Sequence, residues 1–124
     1  MTRYYDEIAS FDRDGFFVIV DKTWEDINPR TCFEELDIED ISNKIERGDY
    51  DWFMLRVRIL VDGHELASEY LGGCLYEDAR EVLTDGTAED LIATAMVTAK
   101  REVYRMYKRF QELSFSIDRE GVNV

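Results

Sequence analysis

The chain has 124 residues, 45% hydrophobic and 35% charged, and its 28 acidic against 15 basic side chains give a formal net charge of −13. This length and apolar content predict one compact domain spanning residues 1–124. The acidic surplus argues against direct binding to nucleic acid or to an anionic membrane, because those surfaces are neutralised by Lys and Arg. The 13% of aromatic residues argues against a disordered acidic tail.

Cysteine usage and targeting signals predict the compartment. Cys32 and Cys74 are the only thiols and lack CxxC spacing, so we expect both to be reduced. The N-terminus is charged, and no apolar run is long enough for a membrane span. We therefore expect a soluble cytoplasmic protein with no membrane partner.

The first predicted element is a strand at residues 16–20, a continuous apolar run of strand formers that follows Asp14 and Gly15. The segment before it has the spacing of one face of a short helix, or of an arm wrapped on the core. Its apolar residues are Tyr4, Tyr5, Ile8 and Phe11.

A short helix is predicted at residues 38–47. Thr31 and Glu34 have the form of a capping box, and Asp37 is placed to cap a second helix start. Gly48 supplies a left-handed stop. The buried stripe of this helix would consist of Ile38, Ile41 and Ile45.

A β-hairpin is predicted at residues 52–71, because Asp62 and Gly63 form a dipeptide that suits a type I′ turn between two strand-forming runs. With these two residues as the loop, Ile59 lies opposite Leu66, and the side chains at 55, 57, 59 and 61 form the core face.

Two features of the hairpin carry open alternatives. Trp52, Met54 and Leu71 fall on the face away from the predicted core, where they form either an exposed interaction patch or a surface covered by the N-terminal arm. Gly72 and Gly73 permit a bulge or a sharp bend. Whether a small ligand occupies that bend is left open.

The last third predicts a long helix at about residues 88–113, opened by Thr87 and Asp90, with apolar residues at spacings of one, three and four. A short helix is expected at residues 76–83, and residues 115–117 alternate like a brief edge strand. The fold class is therefore α+β, with an antiparallel sheet of three to four strands packed on the long helix.

Charge is unevenly distributed along the chain. Residues 100–124 hold six basic and four acidic side chains, a net charge of +2, so residues 1–99 carry −15. Residues 34–51 alone contain eight acids, and they contain only two basic side chains. This acidic segment is the strongest sequence signal for a binding surface.

Catalytic motifs are weak. His64 is the only histidine, and the start of a zinc-protease motif at His64 and Glu65 fails because Ser68 stands where the second ligand is needed. A thiol enzyme would need Cys74 beside His64. We expect no cofactor and no metal, and a non-enzymatic role.

The segment WFMLRVRILVDGHELASEYLGGCLYED, followed by a helix that changes from acidic to basic, resembles small uncharacterised acidic proteins of bacteriophages and mobile elements. Such a resemblance covers about half the chain and involves no diagnostic motif.

The leading functional hypothesis is an acidic binding protein that engages a basic site on a larger, nucleic-acid-binding protein. Nucleic-acid mimics that inhibit nucleases or host-defence complexes act in this way, and so do some immunity proteins. The alternatives are a self-associating structural or adaptor module, as a homodimer, and a small enzyme using Cys74 and His64. The expected partner-binding residues are Glu34, Glu35, Asp37, Glu39, Asp40, Glu46, Asp49, Asp51 and Trp52.

Overall fold

The computed structural model describes residues 3–33 and 35–120, with side chains at 3–33 and 38–116. Four antiparallel strands form one sheet in chain order, β1 (Asp6–Arg13), β2 (Phe16–Trp24), β3 (Asp51–Val61) and β4 (His64–Tyr76). The two helices are α1 (Glu35–Glu46) and α2 (Thr87–Glu120), and short 3-10 turns lie at Pro29–Thr31 and Ala79–Leu83. The predicted α+β class is confirmed.

The N-terminal segment is a strand, so the prediction of a short helix or wrapped arm is wrong for residues 6–13. Asp14 (φ 53°) and Gly15 (φ 85°) form a tight hairpin turn into β2 with the left-handed backbone of a type I′ turn. The composition of β1 is mostly polar and carries one β-branched residue, Ile8. Its strand conformation therefore follows from pairing with β2 rather than from local propensity.

The predicted turn of the second hairpin is confirmed, since Asp62 has φ 49° and Gly63 has φ 81°. The predicted register beyond it is wrong by one residue. Leu60 pairs with Glu65 and Ile59 with Ala67, which leaves Leu66 as the extra residue of a β-bulge. Ala67 consequently faces the core in place of Leu66, and it is buried.

The double glycine forms a second bulge, as its sequence predicted. Phe53 pairs with Cys74 and Leu55 with Leu71, so Gly72 and Gly73 together oppose one residue of β3. Gly73 adopts φ +67°, a left-handed conformation that favours glycine.

This second bulge alters the predicted apolar patch. Leu71 pairs with Leu55 and so shares its side of the sheet, whereas Trp52 and Met54 point to the other side. The three residues therefore do not form one patch. Trp52 contacts the Phe33 ring and the Ile27 carbonyl, both from the segment between β2 and α1.

Helix α1 begins at Glu35, so Asp37 lies inside the first turn and is not its cap, because the chain is already helical two residues earlier. Glu34, the second half of the predicted capping box, lies outside the described residues. Thr31 donates its hydroxyl hydrogen to the Asn28 carbonyl at 2.8 Å and belongs to the 3-10 turn. The predicted stop at Gly48 is confirmed by its φ of +83°.

The core lies between one face of the sheet and the first half of α2. Alternate residues of β2 and β3 are buried on this face. From α2, Ala88, Ile92, Ala95, Met96 and Ala99 complete the core. The fully buried strand residues are Val18, Val20, Leu55, Val57 and Ile59.

Helix α2 has 34 residues and ends at Glu120, beyond the predicted end at 113. Residues 115–117 are helical, so the predicted edge strand is wrong, because a helical apolar spacing continues through this segment. The helix crosses the sheet from near Arg13 of β1, where that side chain pairs with Glu89, and reaches the Asp62 turn at Val103. At about 1.5 Å per residue it is about 51 Å long, so its end projects past the sheet.

Candidate functional site

The acidic residues expected to bind a partner lie on α1 and on the turn that leads from it into β3. Glu39, Asp40 and Glu46 are exposed on α1, Asp49 is exposed in the turn, and Asp51 is half-buried at the first position of β3. Glu34 and the side chains of Glu35 and Asp37 lie outside what the structure describes.

Three of these acids are neutralised locally. Asp40 lies 3.2 Å from Lys44, Asp49 lies 3.2 Å from Arg47, and Asp51 pairs with Lys22. Among the described side chains, Glu39 and Glu46 form no ion pair. Helix α1 is therefore less negative than the count of acids in residues 34–51 indicates.

The acidic surplus is spread over the whole body of the protein, which we define as residues 3–99. Every described Lys and Arg of the body except Arg30 lies within ion-pair distance of a carboxylate. Many exposed acids form no ion pair with any described residue. They are Asp6, Glu7, Asp12, Asp14, Glu39, Glu46, Asp62, Glu77, Glu81, Asp85 and Asp90.

A cavity of about 320 Å³ opens at the end of the sheet where β1 and β3 begin and β2 ends; we call it the end cavity. Four aromatic residues, two acids and Lys22 line it, and the combination of aromatic faces with carboxylates suits organic cations. By the strand register, Asp6, Trp24 and Asp51 lie on one side of the sheet and Trp52 lies on the other. The lining residues are Tyr4, Asp6, Lys22, Thr23, Trp24, Asp51, Trp52 and Phe53.

Hydrogen bonds and ring contacts fix both indoles of the end cavity. The Trp52 Nε1–H donates to the Ile27 carbonyl at 3.0 Å, and the ring lies 5.8 Å from the Phe33 ring. The Trp24 Nε1–H donates to Asp26 at 2.9 Å, and the Arg3 guanidinium lies 4.7 Å from the Trp24 ring. The aromatic wall is therefore preorganised, which lowers the entropy cost of binding.

Two cations of the protein itself already lie at the end cavity, Arg3 on the Trp24 ring and Lys22 in the wall. The Lys22 ammonium pairs with Asp51 and lies 5.6 Å from the centroid of the Phe53 ring. Asp6 is exposed and pairs with no described cation, and the Thr23 hydroxyl is buried without a described hydrogen-bond partner. Among the carboxylates of the end cavity, Asp6 thus remains available for a cationic group of a partner.

Sequence reasoning found two residues of this site and missed the others. Asp51 and Trp52 were among the expected binding residues. Tyr4, Asp6 and Trp24 were missed because they come from β1 and the end of β2, and the pairing of β1 was not predicted. The one local signal is Trp24, an indole in an otherwise polar segment.

The proposed thiol enzyme lacks its geometry. His64 and Cys74 occupy opposite ends of β4, and at about 3.3 Å per residue they are about 30 Å apart. Burial raises the pKa of the Cys74 thiol to about 11, which opposes thiolate formation. The described side chains form no group of three or more His, Cys, Asp or Glu suited to hold a metal.

The bend at the double glycine is filled by the protein itself. The Glu25 carboxylate accepts hydrogen bonds from the Gly73 N–H at 2.8 Å and from the Ile27 N–H at 3.1 Å. A Cβ at Gly72 would lie 2.9 Å from the same carboxylate. Glu25 thus has a structural role, and it occupies the place that the sequence left open for a ligand.

Comparison of the chain with protein-family models, with curated proteins and with solved structures finds no match. The resemblance to acidic phage proteins stays a prediction. Among the described helices, none has the length and apolar character that crossing a membrane requires.

Proposed function

We propose that this protein is a non-enzymatic binding protein that recognises a cationic site on a larger protein. In this proposal the end cavity holds one Lys or Arg side chain of the partner. The unpaired acids of the body attract the surrounding basic surface. The single observation that supports it best is the cavity wall, in which preorganised indoles stand beside carboxylates.

The chemistry of the end cavity favours a guanidinium or an ammonium. An aromatic face attracts a cation through its quadrupole, and the attraction grows when water is excluded. Asp6, which is exposed and forms no ion pair with a described residue, supplies a charged acceptor for such a group. Lys22 and Asp51 already form an ion pair. In this proposal a guanidinium of the partner binds next to that pair, so that three charged groups form one network.

The charge of the body supports a basic partner. The body holds a surplus of acids after nearly all of its described cations have been paired, so its field is negative on several sides. Such a field accelerates encounter with a cationic groove and fades with added salt. Proteins that bind nucleic acid carry cationic grooves of this kind, so the partner we propose is a nucleic-acid-binding protein.

The direct test uses a hexa-arginine peptide as probe, with hexaglycine as the uncharged control, in isothermal titration calorimetry at low and high salt. We expect binding of hexa-arginine that weakens with salt, and no binding of hexaglycine. The discriminating variant is Asp6→Asn, which removes the exposed carboxylate of the end cavity. Its matched control is Asp12→Asn, at the other end of the same strand and with the same change in net charge.

We expect D6N to weaken hexa-arginine binding about tenfold, the equivalent of about 1.4 kcal/mol, and D12N to weaken it much less. Equal losses for both variants would show that net charge alone binds the peptide and that the end cavity is not the anchor. Absence of binding at low salt would contradict the proposed function.

A further inference from the structure

The distal half of α2, which we define as residues 100–116, carries an apolar stripe that the body does not cover. Val103 and Leu113 are 41% and 42% exposed, and Tyr107 and Phe110 are 57% and 58% exposed. Met106 lies between them and is half-buried. At about 1.5 Å per residue this half is about 25 Å long, so the stripe is long enough to bind an extended partner.

The spacing of the stripe indicates that its partner is a helix. Val103, Met106, Phe110 and Leu113 follow each other at intervals of three, four and three residues. Alternating intervals of three and four give the 3.5-residue period of helices that pack side by side. Towards the start of the helix, the same spacing continues to Ala99, which is buried against the sheet.

The stripe continues into a groove between α2 and the hairpin turn. This groove has a volume of about 310 Å³ and is lined on the sheet side by Val61, His64 and Leu66, with Asp62 at its rim. Its walls are almost entirely apolar. A helix that lies on the stripe therefore also inserts its end between α2 and the hairpin.

The distal half and the hairpin end of the sheet carry opposite charges, since residues 100–116 hold five basic and two acidic side chains. Lys100, Arg101 and Lys108 of the distal half form no ion pair with any described residue. The β1–β2 and β3–β4 turns lie at the same end of the sheet, since Phe17 pairs with Leu60. That end carries exposed acids, namely Asp12, Asp14, Asp62 and Glu65.

We infer that the distal half of α2 binds the same half of α2 from a second copy of this chain, with the two helices antiparallel. In this arrangement the end of each helix, near Leu113, lies against the Val61 and Leu66 side of the other copy's groove. The positively charged distal half of each helix then lies beside the acidic hairpin end of the other copy. A two-fold axis makes both contacts identical, as in most homodimers.

The test measures mass by light scattering coupled to size exclusion at micromolar concentration. We expect a mass of twice 14.6 kDa for the wild-type chain. The double variant Met106→Glu and Phe110→Glu is expected to be a monomer, because it places carboxylates in the apolar seam. Tyr104→Glu is the matched control, an exposed aromatic residue on the same helix but off the stripe, and it is expected to remain a dimer.

Circular dichroism checks that the double variant is folded, which we expect because these side chains lie outside the core. If it unfolds, Leu113→Glu at the helix end serves in its place. A monomeric wild-type chain would overturn the inference, and so would a dimer that the seam variants leave intact. A monomer that binds phosphatidylglycerol vesicles through the stripe would overturn it in favour of a membrane surface.

Orientation is tested with variants that each add one exposed cysteine in a Cys32→Ser background, which keeps only the buried Cys74. Oxidation of a mixture of Leu113→Cys and Leu66→Cys chains is expected to give the mixed disulfide, because the antiparallel arrangement brings residue 113 near the partner's hairpin. A dominant disulfide between two Leu113→Cys chains would indicate parallel helices and would contradict the arrangement.

Discussion

The two halves of α2 follow one apolar spacing but have different surroundings. In the proximal half, Ile92 and Ala99 are 2% and 0% exposed because β3 and β4 cover them. Phe110 of the distal half occupies the same position in the repeat as Met96 of the proximal half, yet Phe110 is 58% exposed and Met96 is 7% exposed. The difference arises because the helix is longer than its path across the sheet.

Charge separates the same two regions. In the body, pairing uses nearly every described cation and leaves acids in surplus, whereas the distal half keeps three cations that pair with no described residue. Apolar spacing alone therefore does not indicate a folded core. When the spacing continues past the sheet and the charge changes sign, it indicates an interface.

The largest expected effect comes from the ion pair buried in the body. Asp21 is 3% exposed and accepts two hydrogen bonds from Arg56, at 2.8 and 2.6 Å. Asp21→Asn leaves the Arg56 charge uncompensated, so we expect a loss of about 4 kcal/mol in the free energy of unfolding, measured by urea denaturation. Glu102→Gln breaks an exposed pair with Arg105 on the distal half, and we expect the free energy of unfolding to change little because solvent screens that pair. Similar losses in the free energy of unfolding for the two variants would show that the body and the distal half do not differ in this way.

A smaller effect is expected from truncating one apolar residue in each half. Ile92→Ala opens a cavity in the core, and we expect a loss of about 3 kcal/mol in the free energy of unfolding. Phe110→Ala, measured at a dilution where the chain is a monomer, is expected to change it by less than about 0.5 kcal/mol. If F110A costs as much as I92A in a monomer, the distal half is packed on the body and the comparison fails.

The smallest expected effect is a dependence on pH that originates in the body. Hydrogen bonds from Arg80 lower the pKa of Asp78 from 3.8 to about 2. Because the pKa is lower in the folded state, the stabilisation is complete above pH 3.8 and is lost as the pH falls towards 2. Thermal unfolding across this range should show a falling midpoint, with a shallower slope in Asp78→Asn. An identical slope in both proteins would contradict this assignment.

The elements with strong local signals were predicted from sequence. The strand at 16–20, the turn at Asp62 and Gly63 and the long C-terminal helix all have them. The hairpin turn at Asp14 and Gly15 uses the same dipeptide, yet it was missed because polar residues before it hide β1. The bulge at Leu66 was not predictable from the sequence. The apolar and polar residues of β4 alternate equally well whether or not one extra residue is inserted in its pairing with β3.

The candidate site was less predictable than the fold. Asp51 and Trp52 were found because they stand in an acidic segment next to a strand. Tyr4 and Asp6 join them only through the order of the strands, since β1 lies two strands away from β3. Ion pairing in the body was also invisible in the sequence, because Lys22 and Asp51 are 29 residues apart.

The most direct test of the proposed cationic anchor is nuclear magnetic resonance of the two indoles. Trp24 and Trp52 both line the end cavity, and we expect the Nε1–H of each indole to give its own signal. On titration with hexa-arginine peptide, we expect both signals to shift together and to saturate, while the amides of the Asp62 turn shift little. Shifts spread over the exposed acids, with both indole signals unmoved, would show that the end cavity does not bind the cation.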